Sequence, residues 1–231
     1  MKKNAARLRQ ALTESHNLAA RLDKPGFPLA ELELMQTWQR RRLAKTYEDL
    51  IGQQRYSAAG DFFLDELYGG LHFRERDQEM ERVLPVMVRV LREDMLLVMA
   101  EAFELQALSL DLDMDMTVQF QKSGWDELNT RRYGEIYRAC GRVAEREEQI
   151  ELIYRLGHQL NRLVHHRLVM MLIRMLRGPA LAAGFGILQS FLENGLNAFR
   201  IMGDGSEFIE TIRQREGEFM RAQLIGEEKP Y

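Results

Sequence analysis

Cysteine is nearly missing from this chain. Cys140 is the only one in 231 residues, which excludes an internal disulfide and any zinc site built from paired thiolates. A reducing, cytoplasmic setting is the expectation. Proline and glycine are scarce too, at 5 and 17 residues, and no β-hairpin signal, internal repeat or low-complexity tract is present, so long helices are favoured over a turn-rich β chain. No stretch reaches the roughly 18–20 apolar residues of a membrane span. The longest apolar runs, around 168–192, are interrupted by Arg174 and Arg177. The first 22 residues hold two lysines but lack the apolar core of a secretory signal. The net charge of −3 offers no general attraction to nucleic acid or to an anionic membrane.

Catalytic signatures are lacking as well. None of His16, His72, His158, His165 and His166 follows a glutamate by three positions, so the Glu-x-x-His pattern of a di-metal bundle is missing. There is no His-Glu-x-x-His, phosphate-binding loop, nucleophile elbow or Cys-x-x-Cys. Asp111-x-Asp113-x-Asp115 opens like a calcium loop, but Met116 stands at the glycine position and Lys122 at the bidentate glutamate. No metal and no cofactor are expected.

What is present is ordinary globular composition, 45% hydrophobic and 29% charged, which argues against disorder. The periodicity predicts an all-α fold, a single bundle of about eight helices over residues 1–231 with no sheet. Ala5, Leu8, Leu12, Ser15, Ala19 and Leu22 form an amphipathic seam, and Asp23-Lys24-Pro25-Gly26 a turn after it. A second helix is expected over 28–51, with Leu29, Leu32, Met35, Gln39, Leu43, Thr46, Tyr47 and Leu50 on one face. Gly52 to Ser57 reads as a connection and the Phe-Phe segment after it as a short helix ending at Gly69, followed by a helix from about 74 that carries Pro85 and a long one over 92–121 stopped by Lys122-Ser123-Gly124. Further helices are expected towards 142 and over 145–177, the latter bent near His166. Gly178-Pro179 reads as a stop and restart, with Gly178, Ala182 and Gly186 spaced for close helix crossing. Asp204-Gly205-Ser206-Glu207 opens the last helix.

Asp61-Phe62-Phe63-Leu64-Asp65-Glu66-Leu67-Tyr68-Gly69-Gly70 is the most informative segment. On a helix, Phe63, Leu64, Leu67 and Tyr68 share an inward face, while Phe62 points away beside Asp61, Asp65 and Glu66. Such a helix must be covered on both sides or cover something else. From 93 to 121 there are seven acids and no lysine or arginine. Asp94, Glu101, Glu104, Asp111 and Asp115 share an arc of about 100°. They form either an internal pairing face, with Arg155, His158, Arg162 and His166 as available cations, or a docking strip for a basic partner. Arg42, at the edge of its stripe, is expected to pair with an acid such as Asp65 or Asp77. The 13 methionines, Met170, Met171 and Met175 among them, read as adaptable core filler.

Taken in order, Trp38-Gln39-x-x-Arg42-Leu43, Thr46-Tyr47, Phe62 to Gly69, Glu104-Leu105-x-Ala107-Leu108-Ser109, Arg177-Gly178-Pro179-Ala180 and Phe191-Leu192-Glu193 resemble the bacterial family named for its Phe-Phe-Leu-Glu-Glu motif. The resemblance covers about residues 30–220, leaving 1–26 as an N-terminal amphipathic helix and turn. Asp65 departs from the motif, keeping the carboxylate one methylene shorter. The resemblance implies a proteobacterial cytoplasmic protein and brings no activity and no catalytic residues with it.

Two functional readings follow. The first is a non-enzymatic helical module that binds another protein or itself, through the acidic stripe or the surface around Phe62, and binds neither nucleic acid nor membrane. The second is a small-ligand binder or metal-independent enzyme with a buried polar pocket near the Phe-Phe-Leu-Asp-Glu helix. The candidate binding residues are Trp38, Arg42, Tyr47, Phe62, Asp65, Glu66, Tyr68 and Glu104.

Overall fold

The structure, a computed structural model, describes residues 3–66 and 73–227. The described residues form eleven helices and no strand. In chain order these are α1 (Lys3–Leu22), α2 (Leu29–Thr46), α3 (Glu48–Ile51), α4 (Ser57–Glu66), α5 (Phe73–Val90), α6 (Glu93–Ser123), α7 (Thr130–Cys140), α8 (Val143–Leu163), α9 (Arg167–Ala182), α10 (Gly186–Met202) and α11 (Ser206–Ile225).

Helix α6 is the axis. It buries Leu96, Phe103, Leu105, Leu110, Leu112, Met116 and Phe120, which lie on more than one side of the helix, so it must be covered by several neighbours. Helix α1 runs along it, burying Ala5, Leu8, Ala11, Leu12, Leu18 and Leu22, the seam that the sequence spacing marks out. Helices α2, α7 and α8 cover its other sides, and α11 packs against α7 and α8. Gly124 ends α6 in the left-handed region, φ 68°, as expected.

The helix count exceeds about eight chiefly because two expected long helices are each broken. Tyr47 (φ −110°, ψ 14°) interrupts the second, leaving α3 as one extra turn. The stretch from 145 to 177 divides into α8 and α9 at residues 164–166, close to the expected bend. Gly178-Pro179 is not a stop. Both lie inside α9, where Gly178 has no Cβ to clash with the proline ring. The chain turns instead at Gly184, φ +76°.

Nor do Gly178, Ala182 and Gly186 make a close crossing, since a Cβ on Gly178 would meet nothing within 4 Å. The tight approaches are elsewhere. Gly60 sits against Ile51, Gly157 against Ile209, and Gly195 of α10 against the ring of Phe62, where a Cβ would lie 2.7 Å from Cζ. Phe62 also meets Phe191, ring centroids 5.5 Å apart. It is therefore half-buried, with α10 as its cover, while Phe63 and Leu64 pack on the core beside α3, α8 and α11. Gly195→Ala should thus cost about 1–3 kcal/mol by overpacking. In urea melts, adding Phe62→Leu should recover much of that loss, and strictly additive losses would show that the two residues do not touch.

Candidate functional site

Helices α2, α6, α8 and α11 each carry one charged side chain in the register of their apolar residues, and these side chains meet inside the protein. Arg42 of α2 is only 6% exposed. It donates through both terminal nitrogens to Glu216 of α11, at 2.5 and 2.8 Å, and the Tyr47 hydroxyl donates to the same carboxylate at 2.7 Å. One turn further along α11, the Phe219 ring lies 4.1 Å from the guanidinium carbon. Burial works against the Arg42 charge, but Glu216 more than offsets it and the guanidinium pKa is raised. The bidentate geometry ties α2 to α11.

Asp113 of α6 and Arg146 of α8 form the second half of the cluster. The carboxylate accepts from Gln39 at 3.0 Å and Gln36 at 3.3 Å. Gln39 also donates to the Tyr133 hydroxyl, and Tyr133 stacks on Trp38 at 4.0 Å. Arg146 donates to Gln149 and to the Met116 thioether and lies over the Tyr137 ring. Among the described residues no carboxylate is within ion-pair distance of it. The space left between these groups is a cavity of about 40 Å³. That is room for about two or three waters. It falls well below the roughly 300–1,000 Å³ of small-molecule sites.

Burial raises the Asp113 pKa, opposed by the charge of Arg146 and the glutamine donors. Between the ordinary carboxylate value and this raised one, the unfolded chain has lost a proton that the folded chain keeps. The Asp113 contribution to stability therefore falls as pH rises through that window. Asp113→Asn should lack this fall. The difference in melting temperature, variant minus parent, should grow as pH rises above the ordinary carboxylate value of about 4. A constant difference would contradict the assignment.

Of the candidate residues, Trp38, Arg42 and Tyr47 belong to this buried cluster. Phe63 and Leu64 reach its outer side, where they line a second, apolar gap of about 30 Å³ with Tyr47 and Glu216. Asp65 is not part of it. Its carboxylate is exposed and pairs with Arg40 at 2.5 Å, so the expected Arg42–Asp65 pair is replaced by Arg42–Glu216. Phe62 faces α10. Tyr68 lies outside the described residues, as does the side chain of Glu66.

Glu104 lies elsewhere, paired with Arg7 of α1 at 2.6 Å through both oxygens. Most of the rest of the acidic stripe is likewise occupied from within, while the exposed Asp94 pairs with its neighbour Arg92 at the surface. Glu101 meets Arg7, Arg155 and Gln159, Asp111 meets Arg21 and Arg142, and Asp115 meets Arg142. Of the four cations expected to face the stripe, Arg155 alone is seen to pair with it; His158 turns to Glu210, and Arg7 and Arg21 of α1 with Arg142 ahead of α8 supply the other pairs, leaving little of the stripe open for docking.

The open surface is on α9. Val169, Met170 and Ile173 pack inward towards the core, with α10 the principal neighbour. Leu168, Met171 and Met175, at i, i+3 and i+7, share the opposite face and are 74%, 53% and 66% exposed. Met171 and Met175 are therefore surface residues, contrary to the expectation of core filler. Arg167 and Arg174 border the stripe, are exposed and make no ion pair with any described residue.

Among the described residues, fold and site define an all-helical protein with a buried, hydrogen-bonded polar cluster and an open basic–apolar face on α9. It belongs to the domain-of-unknown-function family DUF8198, whose model matches residues 17–230. Neither a curated protein nor a solved structure matches the chain. No helix among the described residues is long and apolar enough to cross a membrane.

Proposed function

We propose that this protein is a non-enzymatic helical interaction module, one domain, that engages another protein through the exposed face of α9. The observation that carries the reading is the exposure of Leu168, Met171 and Met175 in a row on a helix whose other face is packed. Apolar side chains grouped in this way on a surface mark interaction sites. The ligand-binding alternative has less support. Trp38, Arg42 and Tyr47 close on Glu216 and Tyr133, and the remaining cavity suits water better than a metabolite. The resemblance to the Phe-Phe-Leu-Glu-Glu family favours a proteobacterial host, and the lone Cys140 a cytoplasmic location.

The test is a paired measurement on Met171→Ser/Met175→Ser. Because both side chains are exposed, the melting curve should stay within about 0.5 kcal/mol of the parent. The proteins retained by the parent chain in pull-downs should be lost. Retention of the same set by the variant, or of none by the parent, would remove the basis of the proposal.

A further inference from the structure

We infer that the occupant of the α9 face is an acidic amphipathic helix of a partner protein. The inference rests on the reading of α9 as an interface and adds the chemistry of what covers it. From residue 152 to 192 the chain has no aspartate or glutamate and five arginines, Arg155, Arg162, Arg167, Arg174 and Arg177, in a protein whose net charge is −3. Arg155 and Arg177 are engaged by Glu148 and Glu193. Among the described residues no carboxylate engages Arg167 or Arg174, and the two flank the apolar stripe on one side. A surface with an apolar row and two unneutralised arginines beside it is complementary to a helix carrying an apolar row bordered by carboxylates.

The same features discriminate against other occupants. A second copy meeting α9 about a two-fold axis would bring Arg167 and Arg174 against themselves or each other, with no acid within residues 152–192 to separate them. An anionic membrane is less suited, because helix α9 has no lysine and no aromatic residue, the groups that commonly anchor interfacial helices. Methionine and arginine without lysine is the composition enriched at protein interfaces. Arginine also presents a planar fork that donates two hydrogen bonds to a carboxylate. Met171 and Met175 supply unbranched side chains that adapt to a partner's apolar residues.

The test uses the full chain and a fluorescent amphipathic peptide of about four helical turns, with leucines at i, i+3, i+4 and i+7 and glutamates beside them. A companion peptide has lysine at every glutamate. The acidic peptide should bind, with affinity that falls as salt is raised, and the lysine peptide should bind at least about tenfold more weakly. Arg167→Glu/Arg174→Glu, on an exposed surface and with unchanged melting, should reverse that preference. Equal binding of the two peptides, or an acidic-peptide affinity unaltered by the arginine variant, would overturn the assignment. So would binding only to phosphatidylglycerol vesicles or duplex DNA, or a dimer dispersed by Met175→Glu. If the acidic peptide fails while Met171→Ser/Met175→Ser still strips the protein of its retained partners, the acidic helix is wrong and the interface stands. If both fail, the interface falls with it.

Discussion

Replacing Glu216 by alanine should destabilise the protein by on the order of 3–5 kcal/mol, among the largest effects of any single side chain. The carboxylate is the shared acceptor for Arg42 and for the Tyr47 hydroxyl, and its removal leaves a guanidinium buried beneath Phe219 with no counter-charge. Among the described residues Arg42 Nε already makes no hydrogen bond, so the variant arginine would be left with the Phe219 ring and the neighbouring Tyr47 hydroxyl. Most of the loss comes from the stranded charge and not from the worth of the pair. Arg42→Met/Glu216→Leu should therefore be distinctly more stable than Glu216→Ala alone. Denaturant titration of the three proteins measures this. A double variant no better than the single one would mean that the pair itself supplies the stability.

Removing residues 1–22 should abolish cooperative folding. Helix α1 buries Leu8, Leu12, Leu18 and Leu22 against α6, each at 2% exposure or less. At about 1.5–3 kcal/mol per fully buried leucine this is on the order of 6–12 kcal/mol. That is comparable with the whole stability of a typical domain, about 5–15 kcal/mol. The deletion would also release Glu104, Glu101 and Asp111 from Arg7 and Arg21. Most of α1 precedes the segment matched by the family model, so sequence similarity alone would not assign it this weight. A truncated chain that unfolds in one sharp transition near the parent midpoint would show α1 to be an accessory.

The helices were largely legible because their signals are local. The α1 seam, the Gly124 cap and the break near His166 are each set by residues within a few turns of one another. Gly178-Pro179 misled because a glycine before proline removes the clash that usually ends a helix. The polar cluster was less legible, since Arg42 and Glu216 stand 174 residues apart and neither names the other. A signal did exist. Asp113 projects onto the same arc as Met116, Thr117 and Phe120, Arg146 precedes Gln149, Ile150 and Ile153, and Glu216 falls in step with Ile209, Ile212 and Phe219. A charge in an apolar register has to find a partner there. The cover over Phe62 was hidden for a similar reason. It depends on Gly195 leaving a flat seat on α10, which no local pattern announces.

The α9 surface shows the complementary failure. Its methionines fit a core stripe by spacing alone, and only the packing of Val169, Met170 and Ile173 reveals which side is spent. That makes methionine itself the most direct reporter. In dilute peroxide, exposed thioethers oxidise and buried ones are protected, and mass spectrometry resolves each position. Met171 and Met175 should oxidise early while Met35, Met80, Met114 and Met116 persist, and the acidic amphipathic peptide should shield the first two. If Met171 and Met175 instead oxidise as slowly as Met116 in the isolated chain, the α9 face is already covered and the account is contradicted.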